Sequence, residues 1–351
     1  MRFYHNGEFR RDKERRVTPV GFYKFLLSRL LTFILVVFIG ITTVFFVPRF
    51  LPSDPVEAFI GRFTAKSAFL EPAAIESIRK TLNESFGLQG SIFEQYFGFI
   101  KRVIFTQDFG PSLANYPTPV NELIGRALPW TMGLLLISTL LSWLIGNAIG
   151  LLAGFRKEKT YSKILEAISI TLYPIPYYIF ALILIMLFAY IIPIFPLSAN
   201  FMGSGFSWEH IKSLLVNSAL PALSIILVGT GWWVISMKTL SSGIAEEDYV
   251  HFARLKGLKE RKIMTRYVLP NAALPQITFL ALQIGTIFNG ALITEFLFGY
   301  PGIGTLIFNA ILQSDYNLIM GTITISIIAV AGATFIIDLL YPFLDPRVRY
   351  K

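Results

Sequence analysis

Long apolar stretches alternate with short charged segments along the whole chain. Six of the apolar stretches are long enough, and poor enough in charge, to cross roughly 30 Å of hydrocarbon as helices of about 20 residues. The predicted membrane spans are residues 30–48, 127–155, 167–192, 214–237, 267–294 and 316–337. The third apolar stretch continues to residue 208, but Pro193 and Pro196 favour a helix end near Ile192 and an outer loop beyond it.

The composition agrees with this pattern. Hydrophobic residues make up 54% of the 351 residues, charged residues only 15%, and the mean hydropathy is +0.59. A chain of this kind is solvated mostly by the lipid bilayer, so the predicted fold is an all-α membrane protein with six transmembrane helices. The sequence has no cysteine, which excludes disulfides, thiolate metal sites and cysteine nucleophiles.

The distribution of basic residues predicts the orientation. With the amino terminus inside, the cytoplasmic segments are residues 1–29, 156–166, 238–266 and 345–351. They hold 22 Lys and Arg against 10 Asp and Glu, whereas the outer segments hold 9 against 11. Because short cytoplasmic loops carry the basic excess, both termini are predicted to be cytoplasmic. The net charge of +9 is therefore a topology signal, and no basic face with interleaved aromatic residues indicates nucleic-acid binding.

Two segments outside the spans, the amino-terminal tail and the long loop after the first span, each predict a structure of their own. Residues 1–29 form a basic cytoplasmic tail that runs into an uncleaved first span and is predicted to contact anionic lipid. Residues 49–126 hold 8 basic and 8 acidic side chains, which predicts a small folded extracytoplasmic cap. Apolar residues at helical spacing predict cap helices in Pro72–Leu82 and Ser91–Phe105.

Polar residues on the fifth span follow one helical face. Gln276, Gln283, Thr286 and Gly290 are 7, 3 and 4 residues apart, with Asn289 beside them. An amide facing lipid would be unpaired, so this face must meet water or protein. It lines a translocation pathway, or it packs on another helix through hydrogen bonds. A second candidate wall lies on the third span and consists of Thr171, Tyr173, Pro174, Pro176, Tyr177 and Tyr178.

Ionisable residues are almost missing from the predicted spans. Glu295 lies at the outer end of the fifth span, and Asp338 lies near the inner end of the sixth. Each residue is either structural or interfacial, or it has a direct role in transport. The lack of a charged relay argues against a proton- or sodium-coupled carrier and leaves an externally powered transporter or a passive pore. His5, His210 and His251 all lie in aqueous segments, so no metal or catalytic residue is predicted.

A charged, Tyr-rich segment, residues 243–275, separates two apolar stretches, and we call it the island. Glu246 to Lys256 is predicted to form a short amphipathic helix with Tyr249, Phe252, Ala253 and Lys256 on one side. Gly257 is a candidate helix stop, because glycine takes a positive φ without steric cost. We expect the island to be held by another protein.

Within the island, Ala253, Gly257, Leu269 and Pro270 have the spacing A-x3-G-x11-L-P. It resembles the EAA loop of prokaryotic ABC importer permeases, with His251, Phe252 and Tyr267 departing from the family pattern. The wider run D-Y-V-x-x-A-R-x-K-G-L resembles the dipeptide/oligopeptide-type permeases. Further segments that resemble motifs of this family are 51–55 (LPSDP), 108–112 (DFGPS), 295–304 (EFLFGYPGIG) and 338–349 (DLLYPFLDPRVR).

The resemblance implies a type I importer permease fold in a prokaryotic cytoplasmic membrane. It divides the chain into a basic tail (1–29), TM1 (30–48), the cap (49–126), a permease core (127–344) with a coupling loop (238–270), and a second tail (345–351). The residues implied to contact an ATPase are Glu247, Tyr249, Phe252, Ala253, Lys256 and Gly257. Those implied to form an outer gate or a structural element are Glu295, Pro301 and Gly302.

The implied partners are a second, similar permease, two ABC ATPase subunits and an extracytoplasmic solute-binding protein. No G-x4-G-K-[ST] loop occurs in the sequence, so ATP and magnesium would be used by the ATPase subunits and not by this chain. The substrates implied are di- and oligopeptides, with oligosaccharides, nickel or glutathione-like peptides as alternatives. A self-sufficient channel or carrier, and a membrane scaffold without transport, remain the alternatives of other classes.

Overall fold

A computed structural model describes residues 19–50, 55–66, 71–203, 205 and 207–344. Fourteen α-helices make up most of this part of the chain. They are α1 (Pro19–Arg49), α2 (Pro55–Lys66), α3 (Pro72–Ser85), α4 (Ile92–Lys101), α5 (Val120–Phe155), α6 (Thr160–Leu172), α7 (Tyr177–Ile185), α8 (Trp208–Ala245), α9 (Asp248–Leu255), α10 (Glu260–Ile263), α11 (Leu269–Thr286), α12 (Leu292–Leu297), α13 (Ile303–Leu312) and α14 (Tyr316–Leu344). Short π-helical turns extend α4 to Thr106, extend α7 to Ile191 and join α10 to α11.

Five helical segments are long and apolar enough to cross a membrane, and a bent pair of helices supplies the sixth span. The predicted number of spans is therefore confirmed. The helices extend well beyond the apolar windows of the sequence, because a helix continues past the charged residue that closes a window. With 38 residues, α8 is about 57 Å long and projects from the hydrocarbon layer.

The third span differs from the prediction of one helix over residues 167–192. It consists of α6 and α7, which meet at an angle of 94°. Pro174 and Pro176 lie in the break, and α7 begins directly after Pro176. Because proline lacks an N–H group and its ring clashes with the preceding turn, the helix ends here. The chain then enters α7 in a new direction.

The fifth span also ends earlier than the predicted residue 294. A 3₁₀ turn, Ile287–Asn289, closes it, and Gly290 takes a left-handed backbone with φ of 73°. The chain then forms the short helices α12 and α13 before α14 begins. Glu295 consequently lies on a separate helix, outside the fifth span.

The centre of the bundle is the close pair of α5 and α8. Gly146, Gly150 and Gly154 follow one face of α5 against α8, and a Cβ on Gly150 would stand 2.6 Å from the carbonyl oxygen of Val234. Small residues at every fourth position let two membrane helices approach until their backbones touch. The Ser241 hydroxyl donates to the Gly150 carbonyl at 3.4 Å across this contact.

The cap forms helices at the two predicted places, α3 and α4. A small apolar core of its own joins α2 and α3 to the following loop and contains Val56, Leu82, Phe86 and Leu113. Ser91 and Glu94 form a capping box at the start of α4, with the Ser91 N–H donating to the Glu94 carboxylate at 2.7 Å. We call the end of the bundle that carries α2 to α4 the cap end, and the opposite end the island end.

A buried aspartate fastens the cap to the bundle. Asp315, directly before α14, accepts hydrogen bonds from the Ser112 hydroxyl and from the Ala114 N–H at 2.9 Å. Its second oxygen accepts from the Leu318 N–H at 3.1 Å and so caps α14. The 108–112 motif thus holds the cap on α14. Residues 1–18, 51–54 and 345–351, which carry the amino-terminal basic run and parts of two other motifs, lie outside the described residues.

Asp338 is an ion-pair residue in the structure. Its carboxylate lies 3.3 Å from the Arg29 guanidinium and connects α14 to α1 near the island end. The structural interpretation of Asp338 therefore accounts for its charge without a role in transport.

Candidate translocation cavity and docking helix

A cavity of about 490 Å³ opens on the side of the bundle where α7, α8 and α11 meet. Its polar lining includes Gln283 and Thr286 on α11 and Asn289 in the turn after it. Tyr173, in the break before α7, and Tyr177, at the start of α7, line the same space. Members of the two predicted walls are thus brought together around one cavity.

The polar groups of this cavity are open to its interior. Gln283, Thr286 and Asn289 are all exposed in the isolated chain. The Thr286 hydroxyl donates to the Gln283 carbonyl at 2.8 Å, which leaves its acceptor lone pairs directed outward. A wall of carboxamides, hydroxyls and aromatic rings can donate to and accept from a polar but uncharged ligand backbone.

Five residues of the two candidate walls do not line the cavity, namely Gln276, Thr171, Pro174, Pro176 and Tyr178. Gln276 is fully buried, and its amide donates to the Ser236 hydroxyl on α8 at 2.8 Å. The packing interpretation therefore applies to Gln276, because the stripe turns away from the cavity over the two helical turns that separate it from Gln283. Thr171 lies on α6, where its hydroxyl donates back to the Ala167 carbonyl at 2.8 Å and satisfies itself locally.

Other lining residues were missing from the sequence analysis. Trp232 and Trp233 on α8, Thr139 on α5 and Gly229 on α8 all border the cavity. The Trp232 ring packs edge-on against Phe279 of α11 at 5.5 Å between centroids and supports that wall. The two adjacent tryptophans in the middle of an apolar span could have indicated these lining residues from the sequence, since aromatic residues with a polar N–H seldom face hydrocarbon.

Glu295 forms a saturated polar centre near the cap end. Its carboxyl group is fully buried and accepts from the Thr131 hydroxyl at 3.0 Å, the Ala291 N–H at 3.1 Å and the Gly304 N–H at 2.7 Å. Thr131 in turn accepts from the Ile303 N–H at 2.8 Å. We call these five residues the Glu295 junction. It joins α5, α12 and α13 into one unit.

Glycine at position 302 is required by the Glu295 junction. A Cβ on Gly302 would collide with the carboxylate of Glu295 and the hydroxyl of Thr131. Pro301, next to it, is exposed. The residues predicted as an outer gate or structural element thus separate into two groups, with Glu295 in the junction and Gly302 packed against it, and Pro301 on the surface.

The island forms the predicted short helix, α9, but one residue of the predicted outer side, Ala253, is buried. Phe252 and Leu255 are 62% and 70% exposed, and Tyr249, Glu247 and Lys256 are exposed beside them. Ala253 is only 4% exposed and packs with Val250 against the ends of the membrane helices. Ala253 therefore faces the bundle, because the orientation of α9 is set by this apolar cluster. Leu255 takes its place on the outer face.

Gly257 ends α9 as predicted. It has φ of 70°, its N–H donates to the Arg254 carbonyl at 2.9 Å, and the Leu258 N–H donates to the Ala253 carbonyl at 3.3 Å. This left-handed turn is the common glycine end of a helix. A side chain at Gly257 would meet open space, so the constraint is the backbone conformation alone.

Charged residues fix α9 to the ends of the spanning helices. Arg254 lies 5.6 Å from the ring centroid of Phe155 and donates to the Ala245 carbonyl at the end of α8 at 3.3 Å. Nearby, Lys157 forms an ion pair with Glu246, whose carboxylate holds the pKa of Lys157 above its ordinary value. The exposed face of α9 is therefore presented on a supported base.

Two parts of the chain match models of known protein families. Residues 146–350 match the model of the binding-protein-dependent transport system inner membrane component, and residues 22–138 match the model of the amino-terminal part of such membrane components. The chain belongs to this family. As a binding-protein-dependent permease it has the type I importer fold and is a multi-pass inner membrane protein, which confirms the resemblance stated above.

Its relatives include permeases with named transport systems. It is 31% identical over 320 residues to the oligopeptide transport system permease protein AppB of Bacillus subtilis, covering 90% of this chain and 96% of the relative. Identity to the oligopeptide permease protein OppB of Salmonella typhimurium is 29% over 332 residues, 93% of this chain and 99% of the relative. The dipeptide permease protein DppB of Bacillus subtilis is 28% identical over 276 residues, 78% of this chain and 85% of the relative.

Proposed function

We propose that this permease is one of two membrane subunits of an ATP-driven importer of di- and oligopeptides. A second, similar permease completes the pathway, two ATPase subunits hydrolyse ATP with magnesium, and an extracytoplasmic binding protein delivers the substrate. The observation that carries this proposal is the exposed apolar face of α9, whose other face packs on a buried apolar cluster at the island end.

The α9 face has the properties of an interface to another protein. Three large side chains, Tyr249, Phe252 and Leu255, project from one short helix beside Glu247 and Lys256. Large apolar and aromatic groups at the centre of a polar rim are typical of the residues that dominate binding energy. A helix of this kind enters a groove on the partner with its apolar face.

The cavity supports the peptide assignment. Its walls offer the amides of Gln283 and Asn289, the hydroxyl of Thr286 and two tyrosine rings. Each residue of a peptide carries one backbone donor and one backbone acceptor. The lining can therefore bind the backbone of a peptide whatever its side chains are. The cavity is open on one side, where the partner permease would close it. The named transport systems of the relatives agree with this substrate class.

We infer that both termini and the island are cytoplasmic and that the cap is extracytoplasmic, because the basic residues are concentrated at the island end. Single cysteines introduced into this cysteine-free chain test the orientation. A reagent that cannot cross the membrane should label Ser85→Cys in intact cells and leave Lys157→Cys unlabelled. The opposite pattern would reverse the assignment.

The docking role of α9 is tested with the double variant Phe252→Ala, Leu255→Ala. Each truncation removes most of an apolar side chain. Burial of that side chain in the partner would contribute about 1.5–3 kcal/mol to binding. Retention of ATPase subunits on the purified complex should therefore fall at least tenfold, and substrate-stimulated ATP hydrolysis should fall with it. Leu312→Ala, equally exposed but on α13 at the cap end, is the matched control. Normal retention and hydrolysis in the double variant would reject α9 as the docking element.

The substrate class is tested separately, in proteoliposomes that contain the complete importer and its binding protein. Uptake of radiolabelled tri- to pentapeptides should depend on ATP and should be competed by other peptides. Uptake of a labelled oligosaccharide or of nickel, with no peptide uptake, would replace the peptide assignment while leaving the importer intact.

A further inference from the structure

An apolar groove of about 810 Å³ runs along the bundle at the cap end, apart from the translocation cavity. Its floor is the buried cluster that contains Ile41, Val103 and Ile124, and its walls are α1, α14 and the π turn after α4. Two carboxamides, Gln107 and Asn121, are the only polar side chains among the described residues that line it. The groove thus has a long hydrocarbon section and a polar rim.

We propose that this groove is a phospholipid site that holds one acyl chain, with the glycerol ester group at Gln107 and Asn121. Two of its walls, α1 and α14, are membrane-spanning helices, so hydrocarbon is the medium around them. An ester carbonyl is an acceptor only, and a carboxamide NH₂ supplies the matching donor. Asn121 uses one amide hydrogen on the Gln107 backbone carbonyl, which orients its second hydrogen for another acceptor.

The face of α4 that borders the groove continues as an exposed apolar stripe. Phe93, Phe97 and Ile100 are 4 and 3 residues apart, so they share one side of α4, and Ile104 follows in the π turn. Ile100 and Ile104 line the groove, while Phe93 and Phe97 are 71% and 67% exposed. The opposite side of the same helix, with Phe99, is buried in the bundle.

This arrangement matches a helix that lies in the membrane interface, with its apolar face among acyl chains. The stripe is continuous with the groove, so a lipid covering Phe97 has a direct path for its chain past Ile104 into the groove.

Gly125 allows a direct test. It lines the groove, and a Cβ built on it meets nothing within 4 Å, so a larger side chain would enter open space without strain. Gly125→Leu should displace about two methylene groups of a bound chain and weaken lipid binding about tenfold. Gly133→Leu is the matched control, because Gly133 lies on the same helix, has equally open space and does not line the groove.

The probe is a phosphatidylethanolamine with a diazirine in one acyl chain, incorporated into nanodiscs with the assembled complex. Photo-crosslinks should concentrate on residues 100–104 and 325–329, above the level at Leu31 and Leu35, which are exposed on α1 outside the groove. The yield of crosslinks in the groove should fall about tenfold in Gly125→Leu, because it follows the affinity for the phospholipid. In Gly133→Leu the yield should stay unchanged.

A second measurement is the unfolding temperature of the delipidated complex on addition of the same phospholipid without the diazirine. It should rise in the wild type and in Gly133→Leu, and rise less in Gly125→Leu. Equal crosslinking inside and outside the groove, or no effect of Gly125→Leu, would overturn the proposal. A photoreactive residue in place of Ile104 that captured protein in preference to lipid would show that a second membrane subunit covers the groove.

Discussion

The Glu295 junction and the candidate translocation cavity are both polar regions inside an apolar bundle, but they differ in how their polar groups are paired. At the junction, one carboxyl group takes three donors and is shielded completely from solvent. In the cavity, Gln283 and Asn289 are exposed and present their amides to an open space. Because an unpaired polar group in a low-dielectric medium is costly, a saturated group holds structure, while an open group is available for a ligand.

The largest effect is expected from Glu295→Ala. The substitution leaves the donors of Thr131, Ala291 and Gly304 without an acceptor, which should cost about 3 kcal/mol or more in stability. The unfolding temperature of the purified chain, and its accumulation in the membrane, should both fall. A variant that accumulated normally with an unchanged unfolding temperature, yet had lost transport, would move Glu295 from the structural region to the pathway.

A smaller loss of stability is expected from Gly302→Ala. The added methyl group would have to displace the Glu295 carboxylate or Thr131, and overpacking of this kind costs about 1–3 kcal/mol. Gly133→Ala, where the methyl group enters open space, is the control and should be neutral or slightly stabilising. Thermal unfolding of the two variants side by side measures the difference. Equal unfolding temperatures would show that the junction is not tightly packed.

Two glutamines on α11 provide the sharpest contrast between a buried, packed amide and an open one. Gln283→Leu should leave stability unchanged and raise the KM for peptide transport about threefold to tenfold, the loss of one hydrogen bond to the substrate. Gln276→Leu removes the buried contact with Ser236 and should lower the unfolding temperature instead. Peptide uptake kinetics and thermal unfolding on both variants decide this. If Gln283→Leu destabilised the chain while its KM stayed normal, the cavity amides would be packing groups as well.

The smallest effect is expected from the exposed ion pair of Lys157 and Glu246. The hydrogen bond from Lys157 lowers the pKa of Glu246 below its ordinary value of 4.5. The contribution of the pair to folding stability is therefore present at neutral pH and is lost as the pH falls through the lowered pKa. Because both groups are solvated, Lys157→Met should not change the unfolding temperature at physiological salt. A clear decrease at neutral pH, removed by high salt, would show that this pair supports the base of α9.

Much of the fold could be predicted from the sequence. The lengths of the apolar stretches gave the number of spans, since crossing a membrane demands a fixed length of helix and closed backbone hydrogen bonds. The prolines near residue 175 marked an irregular point, but the 94° bend depends on how α6 and α7 pack, which no local pattern specifies. Likewise, the stripe on α11 indicated a polar face without showing that Gln276 meets Ser236 of α8.

For the docking helix, the sequence was sufficient for the existence of α9 and for its end at Gly257, because both depend on local backbone chemistry. It was not sufficient for the direction in which α9 presents its residues. Ala253 faces the bundle and Leu255 is exposed because the apolar cluster under α9, and the contacts of Arg254 with Phe155 and Ala245, fix the rotation of the helix.

The sequence by itself therefore determined the membrane-spanning class, the number of spans, the charged island and the family motifs, all of which depend on composition and short-range spacing. The tertiary structure decided which polar groups are saturated and which are open. Glu295 meets Thr131 from 164 positions away in the chain, and Tyr177 and Gln283 line the same cavity. Pairing between distant residues depends on helix packing, so only the folded chain separates a paired, buried carboxylate from an open polar wall.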